Sequence, residues 1–214
     1  MVKSSINAKS SATRQRDPEA TKAQILDAAE EEFARYGLTG ARTEAIAANT
    51  GVTKAMIHYY FGSKETLYKA VLERHATDFI EAFEQLNLQT LPPEEALKVA
   101  IREGIRHEAM HPHQGKVLLH EAMQNQGKYF KLTAWETPIN LLISILQQGI
   151  DEGCFRPLNP WLMVIHIMGI ISFYFNAQAN LKTLAPNWDS MSTVAIEEFT
   201  ESAIALILAG VKKG

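Results

Sequence analysis

The stretch Thr43–Lys64, TEAIAANTGVTKAMIHYYFGSK, reads as two short helices joined by a tight turn and closed by the start of a third. Thr43 is placed to cap the first helix, because its hydroxyl can accept an orphan backbone N–H, and Ala45, Ile46 and Ala47 supply a compact inward side. Gly51 ends that helix in a left-handed conformation, and Val52 then turns back into the core. Thr53 caps the second helix. Ala55 is small enough to let the two helices approach, Ile57 and Phe61 point inward, and Lys54, Met56, His58 and Tyr59 are left outward. Two helices so arranged form a helix-turn-helix, and the second, short and carrying an outward lysine, histidine and tyrosine, fits the major groove of double-stranded DNA. Lys54, Met56 and His58 are expected at base edges, with Thr43, Thr53, Tyr59 and Lys64 mostly holding phosphates.

Upstream of this stretch lie Thr21, Ile25, Leu26, Ala28, Ala29, Phe33, Tyr36 and Gly37. Within it and just beyond are Thr43, Ile46, Ala47, Gly51, Val52, Tyr59, Tyr60 and Phe61, then Ser63, Lys64, Glu65 and Leu67. In these residues the first third of the chain resembles the DNA-binding domain of the TetR family of transcriptional regulators. Two positions depart from the family pattern: Ala55 stands where glycine is usual, and His58 where tyrosine often is. Alanine is the better helix former. Histidine keeps a hydrogen-bonding ring but opens the contact to pH near neutrality.

The formal net charge of −3 is uninformative, since a DNA-binding domain needs a basic face and not a basic total. Residues 18–68 carry more acids than bases, so Glu30, Glu31 and Glu32 on the first long helix must turn away from phosphate. Cys154 is the single cysteine, which excludes an intrachain disulfide and fits a reducing cytoplasm. The basic N-terminus lacks the apolar run of a signal peptide. The most apolar stretch, Trp161–Phe175, includes His166 and falls short of the roughly 20 residues that span a bilayer, so a buried helix is expected there and no membrane partner.

Residues 1–16, rich in Ser, Ala and Lys/Arg and free of acids, are expected to be a disordered basic arm. A solvated tail and an arm that adds phosphate or minor-groove contacts both remain open. Asp17 and Pro18 announce a helix that Gly37 stops after Tyr36. Ser63 starts a long helix extending to about Leu88, and Pro92 and Pro93 open one through Met110. Helices at 114–125 and 130–152 follow, with Pro138 expected to bend the second near its beginning. Asn159 and Pro160 launch a hydrophobic helix to about Leu181, and a last helix runs from about Ser190 to Leu208. The expected architecture is all-α: an N-terminal three-helix DNA-binding domain at 17–63 and a helical ligand-binding and dimerisation domain at 64–214.

The helix from Trp161 is apolar nearly all round and needs cover that one chain hardly supplies. Ile165, Gly169, Ser172 and Asn176 on it, with Ile196, Phe199, Ala203 and Leu206 on the last helix, are therefore expected to form a four-helix homodimer interface, as the resemblance also implies. A two-fold dimer would read an inverted-repeat operator with half-sites about 34 Å apart. The resemblance further implies a pocket for a small-molecule effector among the C-terminal helices. Its candidate lining is Met110, Met123, Phe130, Trp135, His166 and Phe173, because thioethers and aromatic rings suit adaptable apolar pockets. No acid or base dominates that set, which points to an apolar or aromatic effector.

Glu103, His107 and His111 are spaced four apart, and with His113 and His120 nearby they raise the alternative of a metal-responsive regulator. Pro112 breaks the helix between the histidines. Glu108 and His111 make a single Glu-x-x-His step, whereas helical di-iron enzymes need two such steps and further glutamates. Without a nucleophile motif, a phosphate-cradling loop or a dinucleotide fingerprint, no enzymatic activity and no cofactor are expected.

Overall fold

A computed structural model describes residues 17–213; the expectations for residues 1–16 lie outside the described residues. The Asp17 carboxylate accepts the Glu19 amide at 3.0 Å and opens α1 (Pro18–Gly40). Gly37, at φ 66°, breaks the helical path where the sequence predicts a stop, and a further short turn carries the chain to Gly40. The helix-turn-helix follows as α2 (Thr43–Thr50) and α3 (Lys54–Phe61), with Gly51 left-handed at φ 66° between them. Thr53 caps α3, its hydroxyl accepting the Met56 amide at 3.2 Å.

Thr43 does not cap α2. It is the first residue of that helix, and the donor at the preceding position is met from a distance: the Arg42 amide donates to Glu32 Oε1 on α1 at 3.0 Å. One of the three glutamates predicted to turn from phosphate is thus buried as a tertiary cap. Glu30 pairs with Arg74, much further along the chain, at 2.7 Å, and the more exposed Glu31 lies 3.8 Å from Arg35. Ala55 is exposed and not at the contact between α2 and α3, which is made instead by Ile46, Val52 and Ile57.

Ser63 caps α4 (Lys64–Glu84). This helix ends four residues before the predicted Leu88, because the chain turns at Asn87 in the left-handed region and forms a short 3-10 turn, Leu88–Thr90. Then come α5 (Pro93–Met110) and α6 (Gln114–Asn125), separated by Pro112 as predicted. Where one helix is predicted from residue 130, a 3-10 turn at Phe130–Leu132 precedes α7 (Glu136–Asp151). Pro138 lies in the first turn of α7, where its missing N–H costs nothing, so it does not bend the helix interior. α8 (Pro160–Asn176) stops before the predicted Leu181; the chain bends 67° into α9 (Gln178–Leu184), and α10 (Thr193–Val211) closes it.

Two hydrophobic clusters organise the fold. The head cluster joins Ile25, Phe33, Ile46 and Ile57 to Leu67, Tyr68, Val71 and Leu72 from the first half of α4 and to Val117 of α6. The body cluster is built from Leu97, Ile101, Leu146, Val164, Ile167 and Ile204 among others. Among the described residues there is no strand, and no single helix is long and apolar enough to cross a membrane; α8 and α9 would reach that length together but for their bend.

Candidate nucleic-acid interface and interior cavity

The outward surface of α3 carries Lys54, His58 and Tyr59, all exposed, with Tyr59 83% accessible. Lys54 forms an ion pair with Glu44 of α2, which holds the Glu44 carboxyl below its usual range. Both partners are exposed, so the pair contributes little stability and is easily exchanged for a phosphate. His58 Nδ1 lies 2.5 Å from the Gly62 carbonyl. A carbonyl can only accept, so Nδ1 carries the proton and Nε2 is presented to solvent. Tyr59 packs edge-on against Tyr60, ring centroids 5.2 Å apart.

The remaining members of the predicted set have other contacts. Met56 is half-buried against the head cluster. Lys64 Nζ donates to the carbonyls of Ala41 at 2.9 Å and Thr39 at 3.4 Å, tying the start of α4 to the turn before α2. The half-buried Thr43 opens α2, and the exposed Thr53 opens α3. Arg42, which the sequence reading passed over, is exposed beside Thr43 and has no ion pair among the described residues. Its signal was available: a cation directly preceding the first helix of the motif.

The head is fastened to the body by two polar clusters. On α4, Arg74 donates to Asp27 at 2.6 Å and to Glu30 at 2.7 Å, and the fully buried His75 has Nε2 3.0 Å from the same Glu30 carboxylate. Burial alone would raise the Glu30 carboxyl, but His75 and Arg74 together hold it down at about 2. On α6, the buried Glu121 accepts the Tyr129 amide at 2.6 Å and the Phe130 amide at 3.3 Å, fixing the link that follows the helix. Tyr68 of the head donates to the Val117 carbonyl at 3.4 Å; burial first, and the nearby Glu121 second, hold its phenol above the usual range.

Between α4, α5, α6, α7 and α8 lies a cavity of about 260 Å³. Phe79, Phe83, Phe130, Trp135 and Leu142 form much of its wall. Of the six residues proposed for such a pocket from sequence, Phe130 and Trp135 line it. The other four do not, and the correction has one cause: each sits on a helix face turned away from the body. Met110 is exposed beside Arg106, Met123 is 80% accessible, and His166 and Phe173 lie on the open side of α8. Glu108, missed for this role, is the one titratable residue in the lining. It has no hydrogen-bond or ion-pair partner among the described residues, and burial pushes its carboxyl up to about 7.

The histidines do not converge. Buried His107 shares a hydrogen bond with Gln114, Nε2 to Oε1 2.9 Å, and burial holds its imidazole below the usual range against that bond. Glu103 pairs with Arg106 instead of joining it. His111 stacks obliquely on His107, and His120 is taken by Gln124. Among the described residues no group of three or more His, Cys, Asp or Glu is placed to hold a metal ion.

Comparison with known proteins decides the assignment. The profile described as "Bacterial regulatory proteins, tetR family" matches residues 25–71, and "Tetracyclin repressor-like, C-terminal domain" matches residues 93–207, more than half of the chain. The chain belongs to the TetR family. It is 31% identical to the HTH-type transcriptional repressor NicS of Pseudomonas putida over 67% of this chain and 69% of that protein. An HTH-type transcriptional repressor of Streptomyces coelicolor is 51% identical, but over 29% of this chain and 33% of its own. A solved TetR-like transcriptional regulator from Rhodococcus shares the fold, with TM-score 0.70 and 24% identity over 91% of this chain and 98% of that one.

This TetR-family protein is thus a DNA-binding transcriptional regulator and not an enzyme. Its α8 is not covered on every side within one chain: Trp161, Leu162, Ile165 and Met168 are exposed, with Gly169 and Phe173 beside them. The stripe proposed on α10 is mostly intramolecular. Ala203 is buried, Ile196 and Phe199 pack on the body cluster, and Phe199 stacks on Tyr174 at 3.8 Å between centroids. Leu206 alone of those four is open, at 64% accessible. On α8, Ser172 lines the cavity and Asn176 turns toward α6, so Ile165 and Gly169 are the members of that stripe left on the open face.

Proposed function

We propose that this regulator is a homodimeric repressor that acts in the cytoplasm, binds an inverted-repeat operator through α3, and is released when a small apolar or aromatic molecule fills the cavity. The observation that carries the reading is the position of α6. Val117 is fully buried in the head cluster, Leu118 packs against that cluster and also lines the cavity, and Leu119 completes the cavity wall. A molecule that displaces Leu118 or Leu119 therefore pushes on the helix against which α1 and Tyr68 rest. An effector shifts the population only through its different affinity for the two arrangements, and a coupling of about 1–3 kcal/mol weakens DNA binding roughly 5- to 150-fold.

Repression rather than activation rests on the names carried by the Pseudomonas and Streptomyces relatives. Dimerisation rests on the open apolar face of α8, with Leu206 of α10, which would place two α3 helices in successive major grooves. Within each half-site, Lys54 and His58 are the base-edge candidates. Arg42, Thr43, Thr53 and Tyr59 would hold phosphates, and the tethered Lys64 would contribute mainly by fixing the start of α4.

The test is fluorescence anisotropy on a labelled operator duplex, with and without 1-ethylnaphthalene as the apolar probe. Probe binding should weaken DNA binding within the stated range, and bound DNA should weaken probe binding by the same factor. A probe that occupies the protein and leaves DNA affinity unchanged would remove effector control from the account.

A further inference from the structure

The cavity contains one ionisable group and, among the described residues, no partner for it. Among the described residues its wall is aromatic and aliphatic apart from Glu108 and the Ser172 hydroxyl, and it contains no lysine, arginine or histidine. Glu108 comes from α5, one turn from Gly104, and reaches toward α6 where Gly115 has no side chain. A Cβ at Gly115 would sit 2.8 Å from Glu108 Oε2 and 3.0 Å from Asn176 Nδ2, so the glycine keeps open the space the carboxyl occupies. The Asn176 amide does not satisfy the acid, because its hydrogens go to the Ser172 carbonyl at 2.9 Å and hydroxyl oxygen at 3.2 Å. Leaving a carboxyl unpartnered in an apolar wall is costly for the free protein. The same arrangement favours one class of guest, since an opposite charge brought into a low-dielectric pocket meets a strong and unshared attraction.

We propose that the effector is an organic cation: an apolar, aromatic-sized body that fills the space between Phe79, Phe130 and Trp135 and carries one protonated amine that pairs with Glu108. This deepens the reading of the cavity as the effector site and rests on it. The aromatic rings of the wall add a second attraction for a positive nitrogen. An anionic molecule of the same size is disfavoured, because the ionised form of Glu108 repels it and no basic residue among those described lines the wall to receive it. A neutral molecule would bind by shape alone and would leave the acid without a partner.

The experiment is isothermal titration of the full chain and of Glu108→Gln with three probes of one shape: 1-naphthylmethylammonium, neutral 1-ethylnaphthalene and 1-naphthylacetate. The amine should bind the parent protein at least tenfold more tightly than it binds Glu108→Gln. The neutral probe should bind both within about threefold, which also shows that the variant keeps an intact cavity. The acetate should bind the parent more weakly than it binds the variant. Equal affinity of the amine for the two proteins, with the neutral probe still bound, overturns the cation proposal and leaves the cavity as an effector site. If no probe binds either protein, the cavity reading fails and the cation proposal with it.

Discussion

In the head, Ile25, Phe33, Ile46, Leu67 and Leu72 are fully buried and pack against one another, whereas in the body Phe79, Phe130 and Leu142 line a cavity of about 260 Å³. The body also leaves Trp161, Leu162 and Phe173 on an open face. The head closes on itself with one buried residue from outside: its apolar positions meet around Val117 of α6, α1, α3 and α4 begin at side-chain caps, and the Arg42 amide before α2 has Glu32. The body is unfinished on two sides, inward at the cavity and outward along α8, and those are the sides a guest and a second copy would complete. Rigidity belongs where the geometry of DNA contacts must be held, and looseness where two packings must be nearly equal in energy.

The largest effect expected from this contrast is on stability. Leu72→Ala in the head should cost about 3–4 kcal/mol, the transfer and cavity terms together, while Leu119→Ala at the partly exposed cavity wall should cost less than about 1 kcal/mol. Urea denaturation of the two variants checks it, and equal losses would break the contrast. Next in size is the acid response of the joint between the two regions. The Glu30 carboxyl is lowered from 4.5 to about 2, so its contribution is fully present above pH 4.5 and is lost as pH falls through about 2. That contribution is on the order of 2–3 kcal/mol, and Glu30→Gln should flatten the stability profile in this window.

A smaller effect on the protomer accompanies a large one on assembly. Ile165→Glu lies on the open face of α8 and should change protomer stability by no more than about 0.5 kcal/mol while converting a dimer to a monomer in sedimentation. A variant that stays dimeric would move the interface elsewhere. The smallest expected effect sharpens the DNA face itself: Lys54→Ala, which also frees Glu44, should weaken binding and flatten the salt dependence by about one unit of slope.

The head was legible because its signals are local. Gly37 and Gly51 take positive φ where a stop was predicted, and Asp17, Thr53 and Ser63 cap the helices they precede. The Thr43 cap fails because the helix begins one residue early: Thr43 is itself its first residue, the Ala45 and Ile46 amides go to the Arg42 carbonyl, and the Arg42 amide is met by Glu32 through the tertiary fold, which no short window contains. The cavity was less legible. Spacing identifies a helix face but not its direction, so Phe130 and Trp135 were found while Met110, Met123, His166 and Phe173 pointed outward. In sequence Glu108 reads as half of an incomplete metal step, and what distinguishes it is the lack of a hydrogen-bond or ion-pair partner among the described residues, which only packing reveals. On α10 the stripe through Ile196, Phe199 and Ala203 is a true helical face, yet two apolar faces share that helix and periodicity does not say which one meets the body.

The central claim is that a two-fold pair of these heads reads DNA through α3. Its most direct measurement is selection of bound sites from a randomised double-stranded library with the purified protein, followed by the stoichiometry of the selected complex in sedimentation. The account predicts an enriched inverted repeat with half-sites about one helical turn apart, bound by two protomers. Enrichment of a single half-site held by one protomer, or no enrichment over random sequence, would contradict it.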